Sequence, residues 1–568
     1  MPANKQSVCI VGGGVAGLYS ALLLQEQQDY DIHILEASNR IGGRIHTHRF
    51  THEKNQYFEA GAMRIPRSAF HAPVFDLIDH LNDLPCATLS EDKRIQLMPY
   101  RLNSPGNKLF INSTQGDGCS VWDTLPSAVG WTVPPQYERS ARDLMLSAIG
   151  PLVDALHDDF DKGFEKLLAF DEYPFRQYLQ SVVGWPSAVV DFMETLTSQS
   201  NQFMLSTVEM VMQFMDFNTK DWVTIADGMD RLPLAMAHTV GLEHITFGAR
   251  VTGVFPTESG RLTVRASAYH GELKETFDKV LFAIPPAALK MIVDRPRWSP
   301  SKECAIRAMH FEPLYKMGLR FKTRFWERLP TPSCGGQSTT DLPIRWVVYP
   351  SYGIGEDGPG VLLLYAWMTD ATTWLPLSEA ERRTLALQCL ARLYDDQVDV
   401  YGQLIETFDV AWCATAATGD AMFLPGQFRP HFEAARCPEG NIFFAGEHLS
   451  RHHTWISGAI ESALQSVRDI VGSQDIPALG TKMEVIQAEE TVVFVRMDPS
   501  ATDAGAALVT DVTDAPVLAY SALDSDIENY LPQFHTDART PRDFDNIRDY
   551  RWDWDMLQSE PQGVNILA

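Results

Sequence analysis

The pattern of apolar and polar positions at the start of the chain predicts a strand, a tight turn and a helix. The apolar run VCIV predicts a buried strand, and ALLL belongs to the helix that follows. Between them stand three glycines in G-x-G-x-x-G register: Gly12, Gly14 and Gly17. A second apolar strand, DIHIL, ends at Glu36. Such glycines let a pyrophosphate approach the backbone and the helix start, and such an acid can hydrogen-bond a ribose hydroxyl, so this unit predicts dinucleotide binding.

Two further segments extend this prediction. The loop NRIGGRIHT follows the acid directly and adds Arg40 and Arg44, which favour a ligand with more anionic surface close by, such as FAD. Far along the chain, the apolar strand IFFAG leads to Gly446 and Glu447, and a helix with small residues follows. Both ends of the chain are therefore predicted to close on one cofactor.

These segments resemble the flavin-dependent amine oxidase superfamily. The resemblance implies an α/β fold with α+β parts, in which a Rossmann-like FAD-binding domain is interleaved with a mixed-sheet substrate domain and a helical domain. The implied boundaries are 1–60, 234–310 and 426–475 for the FAD-binding domain, 61–138 and 311–425 for the substrate domain, and 139–233 for the helical domain. The tail at 476–568 departs from the family pattern.

The resemblance also assigns residues to the cofactor. They are Gly12, Gly14, Gly17, Glu36, Arg44, Met63, Arg64, Val251, Gly446, Glu447, Trp455 and Ile456. The monoamine oxidase branch attaches its flavin through a cysteine upstream of the C-terminal FAD strand, and the stretch TGDAMFLPGQF contains none. FAD is therefore expected to be bound non-covalently.

Between the two ends, the resemblance narrows to the L-amino-acid oxidase branch, on the motifs GAMRIP, ADGMDRLPLAM and HTWISG. Arg64 stands in the first of these, and in that branch the arginine pairs with the substrate carboxylate. The physical case is independent, because a guanidinium among apolar residues needs an anion and its planar fork matches a carboxylate. The alternative is a structural ion pair with Glu59 or Asp76.

The resemblance assigns three more catalytic residues. Tyr365 is expected to give the carboxylate a second bond, Lys316 to hold a water beside flavin N5, and Trp455 to wall the cavity near the substrate amine. His452 and His453 stand next to Trp455. Hydride transfer needs no histidine, so neither is assigned as a base.

The implied reaction is oxidation of an L-amino acid by dioxygen to a 2-oxo acid, ammonia and hydrogen peroxide. For the side-chain pocket, Gln213, Asp216 and Glu312 could receive a cationic side chain, whereas Met212, Phe214, Met215 and Trp367 could line a slot for aromatic or aliphatic substrates. The polar and acidic candidates favour a substrate with a basic side chain, or a broad range of substrates. The rival hypotheses are an amide-forming amino-acid 2-monooxygenase, a primary-amine oxidase, which Arg64 opposes, and a non-catalytic flavin-binding protein.

Composition narrows the partners. A formal net charge of -26 argues against binding to nucleic acid or to anionic membranes. The scattered cysteines and histidines signal no metal site, and no apolar run is long enough to span a bilayer. With no signal peptide visible, a cytoplasmic location is expected, as is a homodimer or higher homo-oligomer. In the tail, TVVFVRM predicts one strand.

Overall fold

The strands and helices come from a computed structural model, which describes residues 5–480 except 87, 118–119, 200, 218, 270, 396 and 415–417. The strands within those residues are β1 Gln6–Val11, β2 Tyr30–Leu35, β3 Thr47–Arg49, β4 Tyr57–Glu59, β5 Ile65–Pro66, β6 Leu97–Pro99, β7 Lys108–Ile111, β8 Thr114–Asp117, β9 Trp222–Ile225, β10 Ile245–Thr246, β11 Arg250–Pro256, β12 Leu262–Ala268, β13 Gly271–Phe277, β14 Lys279–Phe282, β15 Leu314–Phe321, β16 Gln337–Thr340, β17 Trp346–Val348, β18 Gly360–Trp367, β19 Leu404–Ala411 and β20 Ile442–Phe444.

The helices within the same residues are α1 Val15–Glu26, α2 Ala72–Asp83, α3 Ala141–Asp158, α4 Phe160–Leu167, α5 Phe175–Ser181, α6 Ser187–Leu196, α7 Thr207–Phe217, α8 Arg231–Val240, α9 Pro286–Lys290, α10 Pro300–Ala308, α11 Met368–Thr372, α12 Glu379–Tyr394, α13 Val400–Gln403, α14 Phe428–Arg436 and α15 Ile456–Val471. Across this part of the chain, no helix combines the length and the apolar character that crossing a membrane would require.

A five-stranded parallel sheet carries the glycine-rich turn. Its order is β10-β2-β1-β14-β20, with parallel pairing throughout. The strands β1 and β14 are apolar and largely buried, as strands of a covered parallel sheet are. Because β20 comes from residues 442–444, the two distant segments predicted to bind the cofactor meet in this one sheet, and α1 packs against α15.

A seven-stranded mixed sheet has the order β19-β15-β18-β17-β16-β7-β8. The pair β16 and β7 is parallel and the other pairs are antiparallel, so the predicted mixed sheet is confirmed. The register of β15 and β18 sets Lys316 directly opposite Tyr365. Directly opposed residues of an antiparallel pair project to the same face, so these two side chains are neighbours.

A small sheet, β5-β9-β6, brings two distant segments together. Ile65 pairs with Val223 and Pro66 pairs with Trp222. Arg64 immediately precedes this pairing, so it lies beside the strand that carries Trp222.

Within residues 139–233, where a helical domain is predicted, the chain forms α3 to α7. Ser140 caps α3 by accepting from the Asp143 backbone N–H, and Asp159 caps α4 by accepting from that of Lys162. The apolar faces of α3 to α7 share one buried cluster that includes Leu144, Phe164 and Val208.

The beginning of the predicted C-terminal extension is described as far as Gly480. The backbone N–H of Leu479 donates to the hydroxyl of Tyr19 in α1 at 2.9 Å, and Ile476 is buried in the same cluster as α1. The strand predicted from TVVFVRM lies outside the described residues.

Candidate functional site

The turn between β1 and α1 has the geometry of an anion cradle. Gly12 has a φ of +109°, which favours glycine, and a Cβ placed on Gly17 would lie 2.1 Å from the carbonyl oxygen of Gly12. The helix start is therefore pressed against the strand end. Gly14 caps α1 with open space where a Cβ would stand, and α1 has neither a side-chain cap nor an acid in its first turn. Its first N–H groups can thus serve an anion.

Glu36 lies beside this turn, at the end of β2. Its carboxylate accepts from the backbone N–H of Gly13 at 2.7 Å and from that of Ser38 at 2.8 Å. The Glu36 carbonyl accepts from the N–H of Ala249 at 2.9 Å, which brings the start of β11, with Val251, to the same sheet edge. Glu36 and Val251, both predicted to bind the cofactor, therefore lie on neighbouring segments.

In the loop NRIGGRIHT, residues 39–47, the two arginines bind different partners. Arg40 donates to the carbonyls of Gly43 at 2.7 Å and Ile45 at 3.2 Å, so it shapes the loop. Arg44 reaches Glu447 at 2.6 Å and the carbonyl of Gly419 at 2.9 Å. This pair ties the loop to the C-terminal part of the chain.

Glu447 joins three segments. Besides binding Arg44, its carboxylate accepts from the backbone N–H of Ala421 at 3.1 Å and from that of Thr454 at 2.9 Å. Burial opposes ionisation of Glu447, but the nearby charge of Arg44, with smaller contributions from His453, lowers its pKa below the ordinary value. Glu447 is thus a buried, ionised clamp.

A flavin dinucleotide fits these residues. The uncapped start of α1 and the open face of Gly14 suit a pyrophosphate, and Gly446, with a φ of +151° and its N–H on Ser462, lets the backbone of the second segment come close. The start of α15 at Ile456 likewise has no side-chain cap and no acid in its first turn. Uncapped helix starts of this kind offer free N–H groups to phosphate oxygens.

Arg64 is buried, with 7% of its surface exposed, in a cage of aromatic rings. Its guanidinium carbon lies 5.1 to 5.7 Å from four ring centroids, those of Phe217, Trp222, Trp346 and Tyr100. Its Nη1 is 3.5 Å from Oε1 of Gln337. Among the residues that the structure describes, none places a carboxylate within ion-pair distance of it.

The alternative of a structural ion pair with Glu59 is not seen. The Glu59 carboxylate accepts from the Thr47 hydroxyl at 2.8 Å and from the Met229 N–H at 2.9 Å, and burial raises its pKa to about 8. The described part of the chain likewise shows no bond between Asp76 and Arg64. The four rings of the cage were not predicted individually, because they come from three stretches far apart in sequence: residue 100, residues 217–222 and residue 346.

Lys316 and Tyr365 face each other within the same region. The Lys316 ammonium lies 4.4 Å from the centroid of the Tyr365 ring and donates to the carbonyl of Gly61 at 2.6 Å. Burial lowers the pKa of Lys316 to about 7, with a smaller opposing effect from Glu59. Lys316 is therefore a buried lysine and not a surface one.

Trp455 continues the aromatic cage. Its ring lies 5.3 Å from Phe217 and 6.0 Å from Trp222, the two rings that also flank Arg64. No partner for its Nε1 is found in the described residues. Met63 is buried nearby, with its sulfur 3.9 Å from the Tyr100 hydroxyl. The predicted catalytic residues Arg64 and Trp455 therefore share one aromatic surface.

Four of the residues predicted for the side-chain pocket fall into two groups: Glu312 and Trp367 lie near Tyr365, whereas Asp216 and Gln213 contact other partners. Glu312 is buried, and both of its carboxylate oxygens accept from Nε2 of Gln202 at 2.8 Å. Trp367 packs edge-on against Trp346 and Tyr365. Asp216 instead binds Nδ1 of His452 at 3.1 Å, and Gln213 donates to the sulfur of Met422 at 3.4 Å.

One acid of this region was not predicted. No motif in the sequence pointed to Asp420. Its backbone carbonyl accepts from the N–H of Glu312 at 2.9 Å, and its Oδ1 is buried without a partner in the described residues. Burial, together with the charge of Glu447, raises the pKa of Asp420 to about 7. Burial and the charge of Asp420 raise the pKa of Glu312 well above its ordinary value.

A dinucleotide cradle closed from both ends of the chain, next to a buried arginine and lysine, defines a flavoprotein oxidoreductase. The chain belongs to the flavin-containing amine oxidoreductases, whose family model matches residues 15–471. The cofactor class is accordingly a flavin.

Individual relatives agree with this family. A putative bifunctional amine oxidase of Dictyostelium discoideum is 31% identical over 518 residues, which cover 84% of this chain and 47% of that one, so the chain spans about half its length. A putative L-amino-acid oxidase of Bacillus subtilis is 29% identical over 82% of this chain and 95% of its own. The structure of a redesigned putrescine oxidase has the same fold, with a TM-score of 0.65 and 19% identity over 83% of this chain and 100% of that one.

Proposed function

We propose that this protein is an FAD-dependent L-amino-acid oxidase. The observation that carries the proposal is Arg64, a guanidinium 7% exposed, ringed by four aromatic side chains and without a carboxylate partner in the described residues. Burying an unpaired charge is costly, so such an arginine favours an anionic ligand of matching shape. The α-carboxylate of an amino acid is planar and accepts a bidentate bond. The Bacillus relative, which is named a putative L-amino-acid oxidase, supports the same substrate class.

In this proposal, Arg64 and Tyr365 hold the carboxylate. Burial, with the nearby charges of Asp420 and Glu312, raises the pKa of Tyr365 well above its ordinary value, so its hydroxyl stays a hydrogen-bond donor at working pH. Two fixed bonds to the carboxylate orient the plane of the substrate and hence its Cα–H bond. Trp455 closes the side on which the α-amine would lie.

A flavin held by the cradle residues would supply the two-electron acceptor for the hydride from Cα, and its reoxidation by dioxygen would account for the hydrogen peroxide. Lys316 can hold or release a proton at Nζ close to neutral pH, because burial brings its pKa to about 7. Its carbonyl contacts at Gly61 and Glu59 keep that nitrogen in place. Free imino acid would then hydrolyse to the 2-oxo acid and ammonia.

We further propose that the FAD is bound non-covalently and that the pocket favours a basic or broad range of side chains. The stretch TGDAMFLPGQF offers no cysteine for attachment. Glu312, buried with Asp420 nearby, would gain most from meeting a cation. Asp216 is already bound to His452, so it has no part in this proposal.

The test is peroxide release by the purified holoenzyme across L-amino acids, D-enantiomers and amines that lack a carboxylate. Arg64→Ala is compared with Arg67→Ala, which removes an exposed arginine three residues away. We expect signal from L-amino acids alone, lost in Arg64→Ala and kept in Arg67→Ala. Equal signal from simple amines, undiminished in Arg64→Ala, would show an amine oxidase instead. Flavin recovered in the supernatant after acid precipitation tests non-covalent binding.

Product analysis separates the remaining rival. An amino-acid 2-monooxygenase would share the carboxylate clamp and yield an amide. We expect a 2-oxo acid with one ammonia released per peroxide. Accumulation of the amide from the same substrate would contradict the oxidase.

A further inference from the structure

Glu209, on α7, holds two loops at once. It is 2% exposed, and its Oε2 binds Nδ1 of His453 at 2.8 Å and the backbone N–H of Phe423 at 2.8 Å. His453 lies in the turn that leads to Trp455, and Phe423 lies in the segment that follows Asp420. A single carboxylate therefore fixes both segments against the same helix.

The His453 ring is enclosed on all sides. It stacks on Phe428 at 5.2 Å and lies 4.4 Å from Phe423, and it is 3% exposed. Burial disfavours its protonation, but the charge and hydrogen bond of Glu209, with a smaller effect of Glu447, raise its pKa above the ordinary value. The two side chains are thus a buried hydrogen-bonded pair, in which the charge of Glu209 favours the protonated form of His453.

The turn after His453 is under backbone strain. Thr454 has a φ of +74°, which a β-branched residue rarely adopts. Its N–H donates to Glu447 at 2.9 Å, and the next residue, Trp455, begins α15 as its N-cap. A strained turn persists only where its surroundings hold it, and here Glu209 holds one side and Glu447 the other.

The same helix α7 also ends at Phe217, the ring that contacts both Trp455 at 5.3 Å and the Arg64 guanidinium at 5.1 Å. We propose that Glu209 and His453 are positioning residues, which set Trp455 against the aromatic cage of Arg64 and thereby fix where the α-amine of the substrate lies. This inference rests on the proposed function for its substrate, and on the geometry alone for the placement of Trp455.

The variant Glu209→Gln keeps the volume and an acceptor for the Phe423 N–H but removes the charge. Its matched control is Glu194→Gln. Glu194 is also buried, and like Glu209 it binds one basic side chain, that of Arg176, and one backbone N–H, that of Phe203 at 3.2 Å. Glu194 contacts neither Trp455 nor Arg64 in the described residues. The control therefore reports the cost of losing a buried pair as such.

We expect Glu209→Gln to lower kcat/KM for the best L-amino acid by about tenfold to a hundredfold, mostly through kcat, since small displacements at a reacting centre have effects of this size. Binding of benzoate, which has a carboxylate and no α-amine, should stay within about twofold, because Arg64 is untouched. Glu194→Gln should leave both unchanged. His453→Gln keeps an N–H donor for Glu209, so it should lower kcat/KM by less than Glu209→Gln does.

The decisive measurement is a double-mutant cycle with Trp455→Phe. If Glu209 acts through Trp455, the two losses in kcat/KM are less than additive, and the cycle with Glu194→Gln is additive. Additive losses in both cycles, or an equal loss in Glu194→Gln, would overturn the proposal.

A spectroscopic arm works without turnover. The near-UV circular dichroism difference between wild type and Trp455→Phe isolates the signal of Trp455, and we expect this difference to shrink in the Glu209→Gln background. An unchanged difference would overturn the positioning role even if the enzyme oxidises L-amino acids. A changed difference in a protein that oxidises none would keep the positioning role and refute the proposed function. If Glu209→Gln does not fold, His453→Gln is put through the same measurements.

Discussion

Replacing Arg64 with lysine separates charge from shape at the proposed carboxylate site. Lysine keeps the positive charge but has no planar fork, so one of two charge-assisted bonds to a carboxylate is lost. Hydrogen bonds to charged groups contribute about 1.5–3 kcal/mol each. At about 1.4 kcal/mol per factor of ten, Arg64→Lys should lower kcat/KM for an L-amino acid by about 10- to 150-fold.

The aromatic cage places this estimate toward the upper end. Four rings lie 5.1 to 5.7 Å from the guanidinium carbon, and a flat, weakly hydrated cation suits them better than a compact ammonium. The assay is steady-state peroxide release, with benzoate affinity measured in parallel and Arg67→Lys as the control. A fully active Arg64→Lys enzyme would refute the bidentate clamp. So would an equal loss toward an amine that has no carboxylate.

Three further predictions concern the cradle and the buried charges. Gly17→Ala should lower the free energy of unfolding, measured by chemical denaturation, by about 1–3 kcal/mol, because the new Cβ meets the carbonyl of Gly12. Gly14→Ala has open space around its Cβ, so it should leave the stability of the apoprotein unchanged and weaken flavin binding. Burial lowers the pKa of Lys316, so its charge destabilises the fold fully below pH about 7, and the free energy of unfolding should rise as pH increases from there toward 10.5. In Lys316→Met this rise in the free energy of unfolding should be absent, and a pH profile parallel to that of the wild type would contradict the lowered pKa. Glu447 is buried, but the charge of Arg44 lowers its pKa. Its contribution to stability is therefore complete above pH 4.5 and is lost as the pH falls through the pKa of Glu447 in the folded protein. The melting temperature of Glu447→Gln should accordingly fall less than that of the wild type when the pH is lowered below 4.5.

The cradle was predictable because its physics is local. A tight turn before a helix needs glycine at fixed spacing, and Gly12, Gly14 and Gly17 carry that requirement in six consecutive positions. The acid at Glu36 follows the next strand for an equally local reason, since it stands where β2 ends beside the turn. The isolation of Arg64 among apolar residues also predicted its burial, because a charge in such a segment needs a partner.

The remainder of the site depended on contacts that no local pattern encodes. The rings around Arg64 come from α7, β9, β17 and the residue after β6, and only the packing of these elements brings them within contact of one guanidinium. Asp216 looked like a receiver for a cationic substrate until the fold set His452 beside it. The ionisation of Lys316 was likewise decided by burial, because solvation is a property of the three-dimensional surroundings. The sequence by itself therefore determined which chemical groups the protein has and where its backbone can approach a nucleotide, and the tertiary structure decided which charges are paired, which are buried and which are left for a ligand.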